Sequence, residues 1–142
     1  MPNKDYSHRD VTDKLGIRAG DSIRVVGHID PNLLTLVREK TGRRMVTPNT
    51  LADVILYLPE SVREITPTLH KLRHAIQPAG GIWVITAKRG RTSASATAHL
   101  NQDKLIPLGL AAGLVDNKIC SISNNQSAMR FVIRKADRTD EG

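Results

Sequence analysis

Ser22-Ile23-Arg24-Val25-Val26-Gly27-His28-Ile29-Asp30-Pro31 is the stretch on which the fold turns. Its first half is a β-branched run closed by glycine, the pattern of a short buried strand. Its second half sets Asp30 as an N-cap ahead of a proline at the first helical position, where the missing N–H costs nothing. Leu33, Leu36, Val37 and Lys40 then keep helical spacing, and Gly42 after Thr41 ends the helix in the left-handed conformation that glycine tolerates.

Upstream, residues 1–6 read as a loose arm, and His8 to Gly16 as a short helix with Val11 and Leu15 turned inward. Downstream, Arg44 to Thr47 is expected as a short second strand. Ala52 to Leu58 is the next strand, stopped by Pro59. Ser61 and Glu64 have capping-box spacing, while Thr66-Pro67 offers a competing helix start. Leu69, Leu72 and Ile76 supply that helix's apolar face. Pro78-Ala79-Gly80-Gly81 is expected to break the chain before a strand from Ile82 to Ala87. Lys88 to Thr97 reads as an exposed loop. A helix follows within Asn101 to Ala112, interrupted or shortened near Pro107 and ended by Gly113. Leu114 to Ser123 and Ala128 to Lys135 form two last strands around the turn Asn124-Asn125-Gln126, and the polar tail from Ala136 frays. Strands alternating with helices, then a hairpin, predict a single α/β domain over 1–142: a three-layer Rossmann-like sandwich with a mostly parallel sheet and a C-terminal antiparallel hairpin.

The composition limits the function classes. A chain of 142 residues, 39% hydrophobic and 25% charged, is a folded globular protein. No apolar run is long enough to span a membrane, and the opening MPNKDYSHRD lacks the apolar core of a secretory signal, so a cytoplasmic address is expected. One cysteine, Cys120, excludes an internal disulfide and multi-cysteine zinc sites, and its β-rich apolar surroundings predict buried packing. Lysine and arginine number 21 against 14 acids, a net charge of +7 that attracts anionic partners, nucleic acid included. Aromatic residues are only 3%, too few for a base-stacking platform.

The order of the pieces resembles a shortened class I methyltransferase core. Leu15-Gly16-Ile17-Arg18-Ala19-Gly20-Asp21 leading into Ile23 to Gly27 is similar to the approach to that family's cofactor strand. Ala52 to Leu56, a helix, and Gln77-Pro78-Ala79-Gly80-Gly81-Ile82-Trp83-Val84-Ile85 resemble its fourth strand, helix and fifth strand, with Gly113-Leu114-Val115 opening the closing hairpin. Tyr6-Ser7, Lys14-Leu15-Gly16-Ile17, Gly113 to Cys120 and Arg130-Phe131-Val132-Ile133-Arg134 together resemble domain of unknown function family 3052, small bacterial proteins common in actinobacteria, over roughly Tyr6 to Asp137. That family has no assigned activity. The methyltransferase likeness implies adenosylmethionine as cofactor, but two features of that family's pattern are missing. The turn after the first strand, Gly27-His28-Ile29-Asp30-Pro31, has one glycine, and Met45-Val46-Thr47-Pro48 has no acidic residue for the ribose hydroxyls. A strand and a helix of the full fold are expected to be missing.

Open parallel sheets bind ligands beyond the carboxyl ends of their strands. That edge should carry Gly27, His28 and Asp30 after the first strand, Thr47 after the second, Glu60 and Ser61 after Leu58, and Lys88, Arg89 and Arg91 after Ala87. Three cations there suit a phosphate or carboxylate compound, with the helix start at Pro31 adding positive potential. Asp30 has the simpler role of N-cap, Glu60 that of a first-turn charge, and His28 that of a solvated loop histidine. His70 and His74, four apart on one helix, lack the glutamate of HExxH and a third ligand, so no metal site is predicted. No nucleophile-elbow motif supports a hydrolase. The expectation is a non-catalytic module without a cofactor that binds a small anion or a protein partner. A nucleic-acid-associated protein and a residual adenosylmethionine enzyme are the alternatives.

Overall fold

The computed structural model describes residues 8–42, 50–87, 102–123 and 126–137. The elements run α1 (His8–Lys14), β1 (Ile23–Val26), α2 (Pro31–Thr41), β2 (Ala52–Tyr57), a 3-10 turn (Val62–Glu64), α3 (Ile65–Leu72), β3 (Ile76–Ala87), α4 (Gln102–Ala111), β4 (Val115–Ser121), β5 (Gln126–Val132) and a final 3-10 turn (Lys135–Asp137). The strands make one sheet in the order β1-β2-β3-β5-β4. β1, β2 and β3 pair in parallel, and β5 enters antiparallel between β3 and β4.

Alternate residues of the central strands feed two cores. Val54, Leu56, Trp83, Ile85 and Ala128 pack with Val11, Leu15, Leu33 and Val37 of α1 and α2. Ile55, Tyr57, Ile82, Val84, Met129 and Phe131 pack with Ile65, Leu69, Leu72 and Leu105 of α3 and α4. Burial on both faces explains why these strands read as continuous apolar runs. The Trp83 indole N–H donates to the Leu15 carbonyl at 2.9 Å, tying the end of α1 to the middle strand.

One consequence of this topology is unusual. The strands β1, β2 and β3 step across the sheet in one direction, yet α2 covers one face and α3 the other. Taken over the described residues, two such parallel connections have opposite hands, where about 98% of crossovers are right-handed.

Local signals explain the element ends. Asp30 caps α2, its carboxylate accepting from the Asn32 N–H at 2.9 Å, and Gly42 closes the helix at φ 72° with its N–H on the Arg38 carbonyl. Gly113, at φ 87°, follows α4 as expected. Other expectations are corrected. α3 starts at Ile65, and Ser61 makes no side-chain cap bond, so the capping box does not form. Ile76 is the first residue of β3, not part of the helix face. The expected break at Pro78–Gly81 is a bulge inside one strand: two steps along β2, from Ala52 to Val54, are matched by five along β3, from Ile76 to Gly81. Pro107 lies inside a continuous α4, placed where a proline removes one backbone donor without ending the helix. β4 is an exposed edge strand, and Cys120 on it is only half-buried. β5 begins at Gln126, two residues before the expected strand, and ends at Val132. Ala136 and Asp137 belong to the last 3-10 turn. The expected arm, the strand at Arg44 to Thr47, the loop from Lys88 to Thr97, Asn124 and Asn125, and the tail beyond Asp137 lie outside the described residues.

Candidate functional site

A ligand crevice in an open α/β sheet forms where neighbouring strands send their connections to opposite faces. Among the described residues, that condition is met between β1 and β2. The chain leaves β1 through Gly27, His28 and Ile29 toward α2, and leaves β2 through Leu58, Pro59 and Glu60 toward α3, on the other face.

The two exits touch through their backbones. The Leu58 N–H donates to the Val26 carbonyl at 2.9 Å. Gly27 sits at φ 99°, and a Cβ there would be driven into the Leu58 carbonyl oxygen, far inside any real contact. Its missing side chain is thus needed for β2 to pass, which is a different use from admitting a cofactor. Ile29 is 6% exposed and packs into the α1/α2 core. His28 between them is exposed.

Asp30 is part of this turn, but its carboxylate is engaged with the α2 cap. The expected positive potential at Pro31 is therefore offset: Pro31 has no N–H to offer, and a carboxylate already sits at the helix start. The other wall is set by Glu64. Its Oε2 accepts from the Tyr57 hydroxyl at 2.8 Å and from the Glu60 N–H at 3.2 Å. Burial drives the Tyr57 phenol far above its ordinary range; the Thr68 hydroxyl opposes that, and the Glu64 and Glu60 carboxylates add to it. Glu64 thus holds the loop that presents the exposed Glu60, a role the capping-box reading missed. The signal available was Tyr57 itself, since a tyrosine buried at a strand end needs a partner for its hydroxyl.

The structure therefore brings Gly27, His28 and Asp30 beside Glu60, on loops leaving hydrogen-bonded neighbour strands. Thr47, Lys88, Arg89 and Arg91 lie outside the described residues, although Ala87, which precedes the three cations, ends β3 at the same edge. His70 and His74 are both exposed, on and just beyond α3, away from this crevice. Among the described residues no group of three or more metal-ligating side chains occurs, and no helix is long and apolar enough to cross a membrane. Burial raises the Cys120 thiol above its ordinary range, with Lys14 and Lys118 pulling the other way.

No protein-family model matches the chain. No curated protein matches it either. Solved structures do match. CalO1, a methyltransferase of calicheamicin biosynthesis with S-adenosylhomocysteine bound, superimposes with a TM-score of 0.61 at 15% identity over 89% of this chain and 54% of its own. NcsB1, an O-methyltransferase of neocarzinostatin biosynthesis in complex with S-adenosylhomocysteine and 1,4-dihydroxy-2-naphthoic acid, gives 0.63 at 16% over 87% and 52%. A SAM-dependent methyltransferase from Aquifex aeolicus gives 0.58 at 9% over 91% and 90%. The chain spans about half the length of the first two. At these identities the likeness concerns the fold, and the fold is that of a reduced class I methyltransferase core.

Proposed function

We propose that this chain is a non-catalytic binding module that takes a small anionic compound in the crevice between the exits of β1 and β2. The observation that carries the reading is the divergence of those exits to opposite faces, which opens the crevice, with Gly27 used up in packing against Leu58. In class I methyltransferases a glycine-rich turn after the first strand lets the backbone approach adenosylmethionine. Here the one glycine of that turn meets protein backbone, Ile29 is turned into the core, and Asp30 caps α2. These residues do not fit the cofactor in that manner.

Two of the three carboxylates near the crevice are engaged internally, Asp30 with α2 and Glu64 with Tyr57 and Glu60. Exposed His28 and Glu60 are left to meet a ligand, and Lys88, Arg89 and Arg91, which follow β3 in sequence, supply the countercharge for an anion. The test is thermal unfolding against nucleotides, sugar phosphates, inorganic phosphate, adenosylmethionine and adenosylhomocysteine. An anion at a hundredfold excess over its dissociation constant adds about 2.7 kcal/mol. The expected result is a rise with an anionic compound that disappears in the Lys88→Ala, Arg89→Ala, Arg91→Ala triple variant. Saturable binding of adenosylmethionine or its product, or full affinity in the triple variant, overturns the proposal.

A further inference from the structure

His70 and His74 take no part in the crevice, yet they are the described side chains whose geometry most directly suits a second kind of ligand. Both are exposed, four residues apart, with ring centroids 5.6 Å apart and ring planes at 78°. An ion bound about 2.0–2.1 Å from one nitrogen of each imidazole lies roughly 3 Å from each ring centre, so at the near-tetrahedral angle of a chelate the two rings stand roughly 5 Å apart. The observed spacing of 5.6 Å is within about an ångström of that, and both side chains are exposed.

The backbone beneath them is fixed. The Arg73 N–H bonds the Leu69 carbonyl at 2.9 Å, and the His74 and Ala75 N–H groups bond the carbonyls three residues back, Lys71 at 3.2 Å and Leu72 at 2.8 Å, so α3 passes into a tight hydrogen-bonded turn that carries His74. The two rings nevertheless stand side by side, as their 5.6 Å spacing shows. The pair also sits at the C-terminal end of α3, where the helix dipole favours positive charge. Two cations lie between them: Lys71 is exposed, and Arg73 has its Nε donating to the Gly113 carbonyl at 3.1 Å, which anchors it toward the end of α4.

The geometry points to a bidentate site formed by His70 and His74 for a borderline divalent transition metal, Ni²⁺, Cu²⁺ or Zn²⁺, with water completing the coordination. Imidazole is the preferred ligand type for these ions, and hard, oxygen-seeking Mg²⁺ and Ca²⁺ are excluded by the same chemistry.

The experiment is calorimetric titration of the untagged full chain with Ni²⁺, repeated for His70→Gln, His74→Gln and Cys120→Ser. Both histidines are exposed, so the substitutions should leave the unfolding midpoint unchanged, which is checked on the same samples. One equivalent of Ni²⁺ is expected to bind the parent and Cys120→Ser equally. Losing either ring removes the chelate and should weaken binding by on the order of 100-fold. Binding that survives in either histidine variant, or no saturable binding by the parent, overturns the site.

Discussion

Replacing Gly27 by alanine tests whether the crevice floor is built as described. At φ 99° an alanine is strained whatever the space around it, and strain of this kind costs about 1–3 kcal/mol. The new Cβ also has no room, because it points into the Leu58 carbonyl oxygen and that backbone is held by the Leu58 N–H to Val26. Forcing a methyl group into a packed region costs a further 1–3 kcal/mol or so. Gly16 is the matched control: its φ is 69°, but nothing lies within 4 Å of an added Cβ, so alanine there bears only the backbone cost of roughly 1–2 kcal/mol. At about 4 °C per kcal/mol for a chain of this length, Gly16→Ala should lower the midpoint by about 4–8 °C and Gly27→Ala, with both costs together, by about 8–24 °C. Circular dichroism melts of both variants, with urea unfolding to confirm an unchanged m-value, make the comparison. A Gly27→Ala drop no larger than that of Gly16→Ala would refute the argument that this glycine is committed to passing β2.

Other consequences are open to direct measurement. Asp30→Ala removes the α2 cap and should cost about 1 kcal/mol, whereas Asp30→Asn keeps an acceptor for the Asn32 N–H and should stay near the parent in the same melts. Tyr57 is held neutral in the fold while its unfolded counterpart ionises near pH 10.0. Above that pH the unfolded chain holds fewer protons, so its contribution to stability is complete below about pH 10 and declines as pH rises past it. Urea midpoints from pH 8 to 11 should show this alkaline fall, and Tyr57→Phe should flatten it; an unchanged slope in the variant removes Tyr57 as the cause. Gly109→Ala pushes a methyl group into the Phe131 ring and should destabilise by about 1–3 kcal/mol, read as a lower urea midpoint.

Much of the fold was legible because its punctuation is local. Asp30-Pro31 and Gly42 mark both ends of α2 within the few residues that make the caps, and the apolar runs at 52–57 and 82–87 are strands because both of their faces are buried. What sequence missed is decided across the chain. Pro78 to Gly81 reads as a break from its proline and glycines, but pairing of Ile76 with Ala52 and of Gly81 with Val54 makes the stretch part of a bulge. Pro107 ordinarily interrupts a helix, yet Leu105 and Gly109 on either side of it pack against the sheet and keep α4 whole.

The site was half legible for the same reason. Strand ends can be read along the chain, and the structure has Gly27, His28, Asp30 and Glu60 on the loops that leave β1 and β2. The partners of the acids cannot be read this way, because Glu64 is selected by a tyrosine seven residues earlier and Asp30 by its own helix. The opposite hands of the two connections are likewise invisible until the faces covered by α2 and α3 are known.

The most direct test of the ligand crevice is amide chemical-shift mapping of the ¹⁵N-labelled chain, titrated with the anionic compound that gives the largest rise in the unfolding panel. Saturable perturbations centred on Gly27 to Asp30 and Leu58 to Ser61 are predicted. A compound that binds yet shifts only the α3/α4 face or the β4 edge, or a panel in which no small anion stabilises the chain, contradicts the account.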